Sequence, residues 1–503
     1  MSRKKGVLYS YVLMGVETLS SILFTPFLIR CLGQEEWGIY GLIASLTAYL
    51  YLLDLGVGNA IVKYMSKYHT NKELAREKNM LAVSLSFYFL IGIIILLIGF
   101  VLKSHIPSLF NVGLTVEQQG LAQKLLLFTV LTAIATLVFA PMNKTIIAYE
   151  KFAVSKGIDI FKVFVRIGLC VIALVAGGKA YSIVIMNFVA TVVCGLVSTW
   201  YVTFYLKLSP SFHDIPHGFV IEIFSYSSFI LMQMLATQII NMINPILIGA
   251  FVASSAAILG IYMVGNQIVT YYQSLGTSIT GVLMPGVVRL VESKGDNNAL
   301  MGEMVKDSRF ILMFLGIILV VFSLVGRQFI EIWAGKVNSD GYIVALIIMI
   351  PQLFSLTQQV QTQVLWALDK HKLQSIIKLV LAIVSVFVSI VLIKKYSIIG
   401  AAFGTALVYF FGDVLLPSLI VHKELGLSAL EYYRKTCSGI IPALIISGIA
   451  GALLLFLPVP GFVKLILVSI VSSFVYYFLL KKFALTQAER DLFRSIPVIN
   501  KLF

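Results

Sequence analysis

Asp159, Lys162 and Arg166 follow one another at i, i+3 and i+7, which on a helix is one face carrying an acid and two bases. They stand inside an apolar stretch, where an ionised side chain costs roughly 2.5 to 3.5 kcal/mol at mid-helix. Arg166 lies about 12 Å deeper than Ile158 at about 1.5 Å per residue. A guanidinium at that depth calls for an acid on a neighbouring helix or for an anionic ligand, and its planar fork suits phosphate. Arg166 is therefore the first candidate to hold an anionic head group. Lys162 is the second, its alternative being to snorkel to the surface. Glu17 and Asp54 pose the opposite problem, because a carboxylate within an apolar helix is ion-paired, neutral or bound to a cation. These two are the candidates for coupling to H+ or Na+. Asp413 is a further acid in an apolar stretch, read as structural.

Uncharged polar residues also fall at helical spacing. Gln233, Thr237, Asn241 and Asn244 share one face, as do Asn266, Thr270, Gln273, Thr277 and Thr280. In the first half of the chain Glu17, Ser21 and Thr25 form such a stripe, followed by Thr47, Tyr51, Asp54 and Gly58. Thr129, Thr132 and Thr136 make another, and Gln352, Gln359 and Gln363 one more. So many stripes in apolar helices predict a hydrated central cavity between two lobes, lined by these side chains. The competing reading is that they join helices through hydrogen bonds of about 1 kcal/mol each.

The elements that must position these residues are membrane spans. Of 503 residues 59% are hydrophobic and 12% charged, and the apolar residues come in runs of about twenty or more. The sequence divides into fourteen spans, near 7–31, 39–62, 80–102, 121–146, 157–177, 181–206, 219–250, 256–286, 308–326, 342–367, 373–393, 398–421, 437–457 and 461–480. The net charge of +15 belongs to this topology, not to nucleic acid. With an amino terminus inside, only nine of the 38 Lys and Arg fall outside: Arg30, Lys103, Lys124, Lys179, Arg327, Lys336, Lys394, Lys395 and Lys464. Both termini are thus expected in the cytoplasm, with the chain in a bacterial cytoplasmic membrane. The run from Gly6 to Ile29 follows Arg3, Lys4 and Lys5 as a signal peptide does, but it is too long and lacks an A-x-A site. It reads as the first span.

Two segments recur at one offset. Thr25-Pro26-Phe27-Leu28-Ile29 returns as Asn244-Pro245-Ile246-Leu247-Ile248, and Ala148-Tyr149-Glu150-Lys151 as Ala367-Leu368-Asp369-Lys370, both 219 residues on. Six spans separate the copies, so the repeats are parallel, the build of a secondary transporter. The expected organisation is a six-helix lobe over 1–206, a cytoplasmic linker over 207–218, a second six-helix lobe over 219–423, and two added helices with a tail over 424–503. Pro26, Pro141, Pro245, Pro285 and Pro351, with Gly56, Gly58, Gly276 and Gly281, are expected to soften the helices they occupy. Spans 3, 9, 13 and 14 are apolar all round and are expected to face lipid.

Catalytic chemistry finds no support. No polar connection is long enough for a catalytic domain, and no outer loop gathers acids. No G-x-x-x-x-G-K-[ST] cradle for ATP is present, and His69, His105, His213, His217, His371 and His422 form no metal spacing. Cys31, Cys170, Cys194 and Cys437 have neither disulfide nor metal spacing. No cofactor is implied, and the energy for transport must come from a gradient or from substrate turnover.

Leu32-Gly33-Gln34-Glu35-Glu36-Trp37-Gly38-Ile39-Tyr40-Gly41, followed by Leu53-Asp54-Leu55-Gly56-Val57-Gly58-Asn59-Ala60-Ile61-Val62-Lys63-Tyr64, resembles the amino-terminal signature of polysaccharide transporters. These belong to the multidrug/oligosaccharidyl-lipid/polysaccharide exporter superfamily. Length, span number, inside termini and the repeat resemble that family along essentially the whole chain. The resemblance implies an all-α membrane protein that turns a polyprenyl-pyrophosphate-linked oligosaccharide from the inner to the outer leaflet for capsule, exopolysaccharide or O-antigen-type synthesis. Alternating access of two lobes is the implied mechanism, with membrane lipids around the prenyl tail and the polysaccharide polymerase machinery as a partner. Related lipid II flippases carry cavity arginines on their first, second and eighth helices. No matching cluster stands here, so the resemblance transfers no residue. The rival readings are a cation-coupled multidrug or small organic cation antiporter, recognising ligands through Glu17 and Asp54, and a structural partner of a polymerase.

Overall fold

The computed structural model describes residues 2–212, 228–292, 297–368, 371–487 and 489–490. Among them every regular element is helical. The chain forms two compact units, Met1–Gly260 and Ile261–Phe503. The first holds α1 (Ser2–Ala48), α2 (Val57–Thr70), α3 (Leu74–Leu109), α4 (Val116–Ala148), α5 (Phe152–Val175), α6 (Ala180–Trp200) and α7 (Ser228–Phe251). The division falls within α8 (Ser255–Glu292). The second holds α9 (Asn297–Ala334), α10 (Gly341–Ala367), α11 (His371–Val408), α12 (Leu416–Leu425), α13 (Ala429–Cys437), α14 (Ile440–Leu454) and α15 (Gly461–Leu479). Helix α7, which the repeat assigns to the second lobe, packs on α1 and belongs to the first unit. Residues 213–218 of the expected linker lie outside the described residues.

Nine stretches among the described residues are long and apolar enough to cross a membrane, or ten with the bent pair α13–α14. The fourteen expected spans do not appear as fourteen separate helices because some run on through short breaks. Leu13–Thr70 is 58 residues long and Leu373–Leu425 is 53, each ample for two crossings. Helix α5 carries Lys156, Asp159, Lys162 and Arg166, too many charges for a plain span.

The breaks explain the joins. Within α1 the one non-helical residue is Gly33, at φ 75° and ψ 173°, a conformation open to glycine; Pro26 passes without one. A 3₁₀ turn, Tyr49–Asp54, then leads to Leu55 and Gly56 at φ 50° and 77°, leaving Asp54 at a break inside an expected span. Ser397, at φ 51°, divides α11 where spans 11 and 12 were expected to part.

In the first unit α4 lies at the centre, against α1, α2, α3 and α6, with Leu125, Leu126, Ala133 and Ile146 fully buried. Helix α3 turns Phe89, Leu97 and Phe100 outward, as a lipid-facing helix does. Close to the α7–α8 connection, Gly38 of α1 meets α8 so tightly that a Cβ there would lie 2.1 Å from the Ala256 carbonyl oxygen. Gln34 donates to the Ala257 carbonyl at 3.0 Å, and the Ser255 amide to that of Gly113 at 2.7 Å.

In the second unit α9 is covered, although its all-round apolarity suggested lipid. It packs on α10, α14 and α15, and Arg309 is the polar centre of that packing at 4% exposure. Its guanidinium donates to the Glu489 carboxylate at 2.6 and 3.3 Å and to the carbonyls of Lys435, Ser438 and Ala484 at 2.9, 2.8 and 2.6 Å. Glu489 also accepts from the Thr486 amide at 2.8 Å.

Candidate functional site

Helix α5 has two faces. Phe161, Phe164, Ile172 and Val175 are exposed along one side, while Asp159, Lys162 and Arg166 lie round the other. That second side borders a cavity of about 410 Å³, lined by Glu17 and Ser21 of α1 and by Asp159, Lys162, Val163 and Arg166 of α5. Five residues singled out by sequence, Glu17, Ser21, Asp159, Lys162 and Arg166, thus meet in one place.

The lining carries two acids and two bases, yet among the described residues none of the four pairs with another. Asp159 is engaged by Lys156 at 3.2 Å and by the Asn143 amide nitrogen at 3.4 Å. Among the described residues neither Lys162 nor Arg166 has a carboxylate within ion-pair distance, and Glu17 has no cation within it. The static ion pair weighed for Arg166 is therefore absent among these residues. Two cations with free donors at this depth favour an anion strongly, since leaving them bare is costly.

A second cavity, about 290 Å³, opens between α4, α5 and α6 and shares Asp159 and Lys162 with the first. Its wall includes Thr136, Asn143 and Lys144 of α4, Lys156 of α5, and Thr191, Cys194 and Ser198 of α6. Asn143 is fixed by the Ser155 hydroxyl, which donates to its carbonyl oxygen at 2.6 Å. Sequence reasoning passed over Asn143, Lys144 and Lys156. A signal existed, for Asn143 continues the Thr129, Thr132, Thr136 stripe by i+7.

The remaining candidates are placed elsewhere. Asp54 accepts a hydrogen bond from Tyr88 at the break after the 3₁₀ turn. Thr25, Thr132 and Asn244 are buried, and Tyr51 is 39% exposed. Thr129, Thr132 and Thr136 each donate to a carbonyl of their own helix, so much of that stripe is satisfied within α4. Gln233 and Asn241 are half-buried on α7. In the second unit Asn266 and Gln273 on α8, and Gln359 and Gln363 on α10, are half-buried and line neither cavity. Asp413, read as structural, pairs with Lys378 at 2.7 Å and accepts from Ser355 at 3.1 Å. Among the described residues no group of His, Cys, Asp and Glu could hold a metal ion.

A multi-pass helical chain with charged, open cavities inside its apolar bundle has the build of a membrane transporter. The chain belongs to the polysaccharide biosynthesis protein family, whose model matches residues 4–291. Membrane protein EpsK of Bacillus subtilis (strain 168) is 20% identical over 492 residues, covering 94% of this chain and 93% of its own. The fold is that of the lipid II flippase MurJ in its inward closed conformation, at TM-score 0.69 and 13% identity over 94% of this chain and 97% of that one. A multidrug resistance MATE family transporter of the MOP superfamily, in an inward-facing conformation, matches at TM-score 0.63 and 12% identity over 84% and 96% of the two chains. The two solved neighbours are themselves a flippase and a transporter. The family expected from the Leu32–Tyr64 signature is the one found.

Proposed function

We propose that the protein is a flippase that moves a polyprenyl-pyrophosphate-linked oligosaccharide repeat unit from the inner to the outer leaflet. The product is a surface polysaccharide of the capsule, exopolysaccharide or O-antigen type. The observation that carries this reading is the pair Lys162 and Arg166, both without a carboxylate partner among the described residues, in a cavity inside the first unit. Membership of a polysaccharide biosynthesis family supplies the sugar, and the resemblance to a solved lipid II flippase is consistent with a lipid carrier. Arg166 and Lys162 hold the pyrophosphate through charge-assisted hydrogen bonds, and the prenyl tail stays in lipid. Glu17 faces the same cavity with no ion pair among the described residues, whereas Asp54 is occupied by Tyr88. Of the two acids, Glu17 is therefore the better placed to couple transport to H+ or Na+, by alternating access. The setting is a bacterial cytoplasmic membrane with both termini inside, alongside the polymerase machinery.

The test is mass spectrometry of polyprenyl-linked glycans in the native host after deletion of the gene. A complete repeat unit should accumulate, and the wild-type gene but not Arg166→Ala should clear it, with both proteins reaching the membrane equally. An unchanged lipid pool, in cells lacking a redundant flippase, would move the assignment to the small organic cation antiporter.

A further inference from the structure

The second cavity has features that the head-group site does not explain. Helix α4 sends Asn143 and Lys144 into it, and α5 sends Lys156, Asp159 and Lys162. Lys156 and Asn143 together occupy Asp159, and Ser155 occupies the other end of the Asn143 amide. The acid is thus spoken for, and among the described residues Lys144 and Lys162 are left without an ion pair. Lys144 also has a fixed course. Its stem runs over Gly58 of α2, where a Cβ would come within 3.0 Å of Lys144 Cε and 3.5 Å of Asp54 Oδ1. Two ammonium groups from different helices therefore share a polar cavity of about 290 Å³ in which the hydroxyls of Thr136, Thr191 and Ser198 already donate to carbonyls of their own helices, so that the lysines are the groups left to meet an anion.

Depth orders the two cavities. Lys144 is one turn from the end of α4 at Ala148, and Lys156 is in the first turns of α5. Arg166 lies about 15 Å further along α5 than Lys156. Lys162, which lines both cavities, stands between.

We propose that the second cavity is a separate anion site for a phosphate-bearing head group, held by Lys144 and Lys162, and that Lys162 hands the phosphate on to Arg166. The hand-over rests on the flippase reading; the site itself does not. A lipid-linked diphosphate and an anionic phospholipid both carry the required chemistry.

The full-length protein in nanodiscs of zwitterionic lipid, titrated calorimetrically with inorganic pyrophosphate at low salt, should bind two ions per chain. Lys144→Gln should weaken one of them tenfold or more, as should the isosteric Asn143→Asp, which sets a second carboxylate beside Asp159 and serves if the lysine variant misfolds. Arg166→Gln should weaken the other. Binding of one ion per chain, unaffected by Lys144→Gln and Asn143→Asp, overturns the second site. Loss at Lys144 with no effect at Arg166 keeps it and overturns the head-group reading instead. In a parallel arm, discs containing phosphatidylglycerol are analysed by native mass spectrometry. Phosphatidylglycerol that resists displacement by pyrophosphate and is lost in Lys144→Gln identifies a resident lipid and overturns the hand-over.

Discussion

At the scale of single residues, what distinguishes Arg166 from Arg309 is the company each keeps. Both sit in apolar helices, yet one is enclosed by five acceptor contacts and the other opens onto a cavity with none among the described residues. Sequence pattern marked Arg166 because it shares a helical face with Lys162. It could not mark Arg309, whose partners lie 126 to 180 residues away. Tyr149, just beyond α4, is another distant bond. It donates to Glu77, a carboxylate 3% exposed, and its ring lies 3.9 Å from that of His69. Burial, then the Glu77 hydrogen bond and charge, push the Tyr149 hydroxyl above its ordinary pKa. The folded state therefore holds that proton more tightly than the unfolded one. Its contribution to stability is complete below about pH 10 and declines as the pH rises beyond it. Tyr149→Phe should cost about 1 to 3 kcal/mol in thermal unfolding at neutral pH and remove that alkaline decline.

At the scale of elements, spans were legible and their joins were not. Hydropathy reports where a chain is apolar, so 121–146 and 342–367 fall inside α4 and α10. It does not report where the backbone turns, which here depends on a few residues such as Gly33, Leu55 and Ser397. The prolines, a more visible signal, mark no such turn in α1. Close helix contacts were equally hidden, since Gly38 has no periodic signature. Gly38→Leu should lower the melting temperature of the purified protein, with about 1 to 3 kcal/mol of overpacking against the Ala256 carbonyl. Covering of α9 by α14 and α15 was missed because an apolar helix reads alike against lipid and against other helices. Glu489→Ala should cost about 3 to 5 kcal/mol by stranding Arg309 in that contact, and Arg309→Met on the same background should recover most of it.

At the scale of the whole molecule, the offset of 219 residues relates chemistry as well as sequence. It carries Thr136, Asp159 and Cys194, which line the second cavity of the first unit, onto Ser355, Lys378 and Asp413. In the second unit those three are joined to one another, Lys378 to Asp413 and Ser355 to Asp413. In one repeat the place is an open cavity with three lysines in its lining, and in the other the corresponding residues are joined by an ion pair. Asp413→Asn alone should therefore strand Lys378 and reduce the yield of folded protein in detergent, while Asp413→Leu with Lys378→Met should restore it. Membership of the family was legible from Leu32–Tyr64, but the open site needed the fold, because Lys144 and Lys162 belong to different helices. The Arg309 cluster has a bearing on how the protein is made. Glu489 leaves the ribosome 180 residues after Arg309, and until it arrives the arginine has no carboxylate to meet. The second unit is thus finished last at its own centre. A chain cut short before Glu489 therefore carries a cation without its carboxylate among α9, α14 and α15.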